Sequence, residues 1–296
     1  MGALGRGMMQ AMRPFLFPHA TALAFVATLL VPCAAWAAPA DAAQASPVAK
    51  DPGYTWALGL AASNGPDYAG SSKRGNSLRP VIGVDIGRYT LSSGGGGSLL
   101  DFDLEPRFTG LSARLFDAER FHLSAGLRIG GGRTPDADSP IYGLPDVRRT
   151  LLARLSAAWM LTPEFSLRSS LNQDLLGRRG GTTVQTTLQY EWQVTPRTEI
   201  GLAAGFTLAD AIYLRSYFGV PADVALVRTP FPAYSPGAGV MSTDLGLEVK
   251  SAITDRWIVF GGVRLSQLRS DARNSPIVVK PNNYGVTVGL AYRCCH

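Results

Sequence analysis

Apolar and polar residues alternate along this chain with a period of two. Near the C-terminus, Tyr284, Val286, Val288, Leu290 and Tyr292 share one parity, and Gly285, Thr287, Gly289, Ala291 and Arg293 the other. Successive side chains of a β-strand point to opposite faces, so this stretch predicts a strand with one large apolar face and one small or polar face. Aromatics close both ends of the apolar face, as in barrel strands whose outside meets lipid. Soluble antiparallel sheets also alternate, so the number of repeats decides.

The pattern recurs. Val184, Thr186, Leu188, Tyr190, Trp192 and Val194 alternate with Gln185, Thr187, Gln189, Glu191 and Gln193. Thr195-Pro196-Arg197 then turns the chain into Ile200, Leu202, Ala204 and Phe206. Thr162-Pro163-Glu164, Thr254-Asp255-Arg256 and Asp117-Ala118-Glu119 break three further strand pairs. Thr, Asp and Pro favour turns through local hydrogen bonds or a fixed φ. Aromatics flank all four turns (Phe116, Phe121, Trp159, Phe165, Trp192, Trp257). The other connections, 63–76, 131–148, 174–182, 208–238 and 269–282, are longer and rich in Gly, Pro and polar residues. Short turns at one end and long loops at the other is the asymmetry of outer-membrane barrels.

Strands are predicted at 54–62, 77–88, 98–108, 110–116, 120–130, 149–161, 164–173, 183–194, 197–207, 239–252, 256–268 and 284–293. The expected fold is therefore all-β, a transmembrane antiparallel barrel of about twelve strands. Ten is the alternative count if the stretch around Gly94–Gly97 and the tight link near Gly110 fuse or lose strands. In the count of twelve, all four short turns follow even-numbered strands, so they fall at one end. The alternative fold is a secreted β-sandwich or soluble barrel. Against it, the polar faces carry Asp101, Asp103, Glu105, Arg107, Arg128, Arg154, Arg168, Glu191, Asp244, Glu248, Lys250 and Arg293. A dry core resists such groups, whereas a lumen accommodates them.

An export segment precedes the strands. Arg6 and Arg13 stand before an apolar run, Ala20 to Val31, and Ala35-Trp36-Ala37 is a small-x-small cleavage pattern. Residues 1–37 read as a Sec-type signal peptide cut between Ala37 and Ala38. Pro32 before Cys33 spoils a lipoprotein cleavage box. Residues 38–53, rich in Ala, Pro and Asp, read as a disordered periplasmic lead-in; the barrel spans 54–296. Removing the leader, with its two arginines, lowers the formal charge of the chain from +6 to +4. That is too mild to argue for nucleic acid, and no basic cluster with interleaved aromatics is present.

Several motifs carry a resemblance. Pro66-Asp67-Tyr68-Ala69-Gly70-Ser71 lies in the first long connection, and Tyr217-Phe218-Gly219-Val220 in the longest. Asp271-Ala272 and Ser275-Pro276-Ile277-Val278 precede the final strand, which ends in Gly-Leu-x-Tyr. In this order the chain resembles the MipA/OmpV family, the MltA-interacting outer-membrane proteins, across about 54–293. The resemblance implies a non-enzymatic barrel in the Gram-negative outer membrane, embedded in its lipid. It also implies a scaffold joining a lytic transglycosylase to a penicillin-binding protein in murein synthesis. Other relatives are described as osmotically responsive, immunogenic or porin-like. The chain departs from barrels that finish on an aromatic residue, because Arg293-Cys294-Cys295-His296 follows Tyr292.

Candidate chemistry is sparse. No Gly-x-Ser-x-Gly elbow and no metal-ligand spacing occurs, so no cofactor or metal is expected. His122, on a polar face, reads as a hydrogen-bonded wall residue. Asp101, Asp103 and Glu105 share one face; the favoured reading makes them partners of lumen arginines, and a hydrolase site is the remote one. Cys294-Cys295 reads as two dispensable thiols, with a disulfide as the alternative. The candidate lumen lining is Asp101, Asp103, Glu105, Arg128, Arg154, Arg168, Glu191, Asp244, Glu248 and Arg293. The candidate periplasmic contacts are Asp117, Glu119, Thr162, Glu164, Thr195, Arg197, Asp255 and Arg256. Tyr68, Tyr217, Phe218 and Tyr234 fall in loops, where the longest one either folds into the lumen or covers it from outside.

Overall fold

The computed structural model describes residues 54–93, 109–135 and 139–294. Their alternation builds twelve strands: β1 (Tyr54–Pro66), β2 (Arg74–Ile86), β3 (Tyr89–Ser93), β4 (Thr109–Asp117), β5 (Phe121–Gly130) and β6 (Thr150–Met160) come first. β7 (Phe165–Asp174), β8 (Thr182–Thr195), β9 (Thr198–Ala209), β10 (Gly239–Ala252), β11 (Trp257–Leu268) and β12 (Asn282–Cys294) follow. Every strand pairs antiparallel with its neighbours in sequence, and β1 pairs with β12. The closing seam sets Leu60 opposite Leu290 and Ala57 opposite Arg293. The ring of strands closes, so backbone donors and acceptors pair between strands, as the hydrocarbon layer of a membrane requires; among the described residues β3 covers Ile82–Ile86 of β2.

The parity of each strand decides its faces. Leu58, Leu60, Leu188, Leu202, Phe206, Leu245, Leu247, Val288 and Leu290 are exposed and point outward. Ala57, Ala61, Val81, Gln185, Gln189, Ala203, Phe260 and Ala291 are buried and point inward. Large apolar side chains outside and small or polar ones inside is the reverse of a soluble barrel.

The short turns share one end. Three are built by a threonine hydroxyl that accepts from the backbone ahead of it. Thr162 Oγ1 takes Phe165 N–H (3.0 Å), Thr254 Oγ1 takes Trp257 N–H (3.0 Å), and Thr195 Oγ1 takes Arg197 N–H (3.2 Å). Aromatic pairs ring this end. Trp56 and Trp257 both pack on Tyr292, at 5.8 and 5.2 Å between centroids, and Phe165 packs on Tyr190 at 4.7 Å.

Two expectations are corrected here. The third strand is Tyr89–Ser93, joined to β2 by Gly87 and Arg88, with Ile86 opposite Tyr89. Gly87 has φ +60°, which suits a two-residue hairpin with glycine first. A fifth short turn therefore stands at the same end, and the strand expected at 98–108 lies outside the described residues. The cysteine pair is not two free thiols either. β12 runs through Cys294, which pairs with Trp56 in register and is disulfide-bonded. Cys33 and Cys295 lie outside the described residues, as do the leader, the cleavage point at Ala37 and Ala38, and the lead-in 38–53.

The long connections carry structure of their own. Helix α1 (Ala211–Phe218) follows β9, and a single turn, α2 (Ser270–Arg273), follows β11. Asp210 caps α1 by accepting from Tyr213 N–H at 2.7 Å, and Gly219 ends it. This is an ordinary helix start and stop.

Candidate functional site

Three regions inside and at the ends of the barrel hold its buried side chains. The first is an apolar plug on the β1–β12 side of the lumen. Phe260 packs with Ala61, Val81 and Ala291. Its ring lies over Gly289, where a Cβ would come within 2.1 Å of it. Glycine at 289 thus makes room for a phenylalanine inside the barrel.

The second is a chamber of about 620 Å³ on the opposite wall, lined from β2 round to β8. Arg128, Arg154 and Arg168 come from three consecutive strands, and Arg154 Nε donates to Ser156 Oγ at 2.8 Å. Each arginine is engaged by a polar or charged group. Gln185, Thr187 and Gln189 are buried in the same wall. Gln189 is 1% exposed, and neither its amide nitrogen nor its amide oxygen has a hydrogen-bond partner. Asp117, His122, Met160 and Glu191 mark the turn end of the chamber. His122 Nδ1 meets Asp117 Oδ1, and Arg114 approaches the same carboxylate at 3.6 Å. Asp117 thus stands between His122 and Arg114.

The third is the cap at the loop end. α1 turns inward, so Leu214 and Phe218 pack on Ala209, Leu268 and Ala272. Ala209 and Leu268 share the inward parity of their strands. A second core, Ile141, Leu144, Val220, Val224 and Ile277, joins the loops after β5, β9 and β11, and Tyr68 of the first loop packs on it. The loop after β9 therefore folds over the mouth with its helix against the inner rim. Polar clamps hold the cap. Arg133 donates through Nη1 to the Tyr217 carbonyl (2.7 Å) and through Nη2 to the Ser216 carbonyl (3.2 Å), at the C-terminus of α1. A cation suits that end of a helix. Tyr68 donates to the Ile277 carbonyl (3.1 Å), Ser275 to the Phe218 carbonyl, and Tyr234 to the Asp271 carbonyl (2.8 Å). Burial pushes the Tyr68 and Tyr217 phenols above their ordinary range. Burial also draws the Arg133 guanidinium below its own.

The other candidate residues fall as follows. Asp244 accepts from Arg264, Nη2 to Oδ1 at 3.2 Å, inside β10 and β11. Glu248 has the same parity as Asp244 on β10 and is engaged by a polar or charged group. Arg293 is at the turn end, donating to the Asp255 carbonyl at 3.2 Å. Arg197 meets Asp255 at 3.5 Å, with both side chains exposed. Arg256 donates to Tyr292 Oη at 3.2 Å. Glu119 is exposed in the Asp117 turn, and Thr162 Oγ1 donates to Glu164 Oε2 at 3.0 Å. Asp101, Asp103, Glu105 and Arg107 lie outside the described residues. No group of three or more metal-ligating side chains occurs among the described residues. Sequence reasoning missed Arg133 and Asp210 and named Ser275 only within a motif, although Asp210 before an apolar octet closed by Gly219 is a legible helix start and stop.

A closed twelve-stranded barrel with a lipid-compatible exterior and a polar lumen defines an outer-membrane β-barrel protein. The family model described as "MltA-interacting protein MipA" matches residues 58–294. The chain belongs to that family. It is 29% identical over 195 residues to outer membrane protein Omp26La of Vibrio anguillarum, a match covering 64% of this chain and 73% of that one. The chain accordingly resides in the outer membrane of a Gram-negative cell. Similar solved structures include the KdgM porin (10% identity, 81% of this chain and 99% of that one, TM-score 0.41). Another is the NanC porin (7% identity, 79% and 98%, TM-score 0.39).

Proposed function

We propose that this chain is a non-enzymatic interaction barrel that holds a murein lytic transglycosylase at the outer membrane. In the fuller form of this reading, a penicillin-binding protein is its second client. The observation that carries it is the inequality of the two ends. The loop end is occupied by its own packed cap. The turn end offers exposed charged turns, with Glu119, Glu164, Arg197 and Asp255 on rigid hairpins. The description of the family as MltA-interacting agrees with this choice. In the proposed orientation the turn end faces the periplasm, where murein enzymes work.

The test replaces Asp117–Glu119, Thr162–Glu164, Thr195–Arg197 and Thr254–Arg256 by Gly/Ser turns. Capture of a purified lytic transglycosylase by the folded barrel is then measured. Loss of capture supports the assignment, and unchanged capture overturns it. A second reading, a porin-like path for small solutes, is favoured by the chamber of about 620 Å³. Single-channel conductance in a planar bilayer decides it, and a bilayer closed at all voltages counts against it.

A further inference from the structure

The chamber has a polarity along its length that neither a passive wall nor a docking turn requires. Register places its charges. Arg128 is opposite Leu152 of β6, Arg154 lies two residues further on, and Arg168 is opposite Ala158. The three arginines thus descend one wall over roughly 20 Å at ~3.3 Å per residue. Of the carboxylates that line the chamber, Asp85 and Asp117 stand at the turn ends of β2 and β4, and Glu191 stands near the turn end of β8, level with Arg168 near the start of β7. Arg128 and Arg154 lie deeper, among hydroxyl and amide groups.

Two details turn this wall into a built site. An arginine carries five N–H donors in a fixed fork, so one already engaged by a neighbour still presents others. Gln189, 1% exposed in the same wall, has both ends of its amide unpartnered. Buried polar groups are normally paired, and one left open in a wall of donors calls for a polar occupant. The volume of about 620 Å³ lies within the range of small-molecule pockets. The apolar cluster around Phe260 stands on the opposite wall and confines the occupant to the arginine side.

We propose that the lumen chamber is a binding site for a small organic anion, a carboxylate or phosphate on a hydroxyl-rich frame. The anionic group sits at Arg154, the middle one of the three arginines, with Arg128 and Arg168 on either side of the bound frame, and the hydroxyls meet Gln185 and Gln189. The site rests on wall residues of β5 to β8 and not on the docking turns; of the turn residues, Asp117 alone also lines the chamber.

The experiment is calorimetric titration of the purified, detergent-folded full chain with three probes: gluconate, glucose 6-phosphate and glucose. Saturable binding of an anionic probe, with no heat from glucose, is expected. Gluconate above glucose 6-phosphate marks a carboxylate site, and the reverse marks a phosphate site. Arg154→Ser and Arg168→Ser each weaken binding at least tenfold, and Gln189→Leu weakens it several-fold. Ser77→Ala, outside the chamber, leaves it unchanged. Raising NaCl from ~50 to ~500 mM weakens it as well. Heat-dependent gel mobility identifies variants that remain folded barrels, and only those are compared. Absence of saturable binding by either anion overturns the proposal. So does equal binding of glucose, or unchanged affinity in folded arginine variants. Replacement of the turns 162–164, 195–197 and 254–256 alone, which leaves the chamber lining intact, leaves these titrations unaffected whatever it does to transglycosylase capture, so the two proposals fail separately.

Discussion

Replacing Arg133 by methionine keeps much of the apolar stem and removes the two hydrogen bonds that clamp α1. Hydrogen bonds from a charged donor contribute about 1.5–3 kcal/mol each, and a cation at a helix C-terminus adds a few tenths more. Arg133 is only half-buried, so water takes over part of the lost interaction. A net loss of about 2–3 kcal/mol in the stability of the cap is the working figure. Native-state hydrogen exchange reads it directly, because local opening sets the exchange of protected amides. The amides of Leu214, bonded to the Asp210 carbonyl, and Gly219, bonded to the Arg215 carbonyl, are the reporters. They should exchange ~30- to ~150-fold faster in Arg133→Met, at about 1.4 kcal/mol per factor of ten. Strand amides of β8 to β11 should keep their protection. Unchanged exchange at Leu214 and Gly219 would refute the clamp. Uniformly faster exchange across the barrel would refute the separation of cap from wall.

Three further outcomes follow from the same geometry. Leu60→Arg, at an outward position midway along β1, should cost about 2–4 kcal/mol in lipid, measured by denaturant unfolding from vesicles; a change under ~0.5 kcal/mol would deny that this face meets lipid. Phe260→Ala should cost about 3–5 kcal/mol, since the ring is 5% exposed and fills the space over Gly289. An unaltered unfolding midpoint would mean the apolar plug is not packed in solution. The raised phenols of Tyr68 and Tyr217 make the cap alkali-sensitive. Burial favours their neutral forms, so their contribution is complete below pH ~10 and lost as pH rises through the raised values. Phenolate absorbance, assigned with Tyr68→Phe, should show Tyr68 ionising later in the folded chain than in the unfolded one; ionisation at the ordinary value would contradict its burial.

The sequence made the wall legible, and the physical reason is the strict period of two. Leu245, Leu247 and Val249 against Asp244, Gly246 and Glu248 admit one strand register with lipid outside. The turns were legible where threonine supplied the acceptor, at 162, 195 and 254. They were missed at Gly87-Arg88, where the signal is a single glycine φ and the following strand is five residues long. The cap was hidden for a different reason. Ile141, Val220 and Ile277 come from three loops far apart in the chain, and no local pattern says that they share a core. Arg133 likewise looks like any loop arginine until α1 places two carbonyls before it. The lumen arginines could be assigned to the inner face by parity, but the order of Arg128, Arg154 and Arg168 along one wall depends on strand register.

The most direct test of the barrel itself is the gel mobility of the outer-membrane fraction in SDS, boiled and unboiled. A closed sheet with every strand paired resists SDS, so the unboiled chain should run apart from the boiled one and remain with the membranes after osmotic shock. A chain of the same mobility in both lanes, released in soluble form by osmotic shock, would contradict the account, because its apolar faces would then have to meet one another rather than lipid.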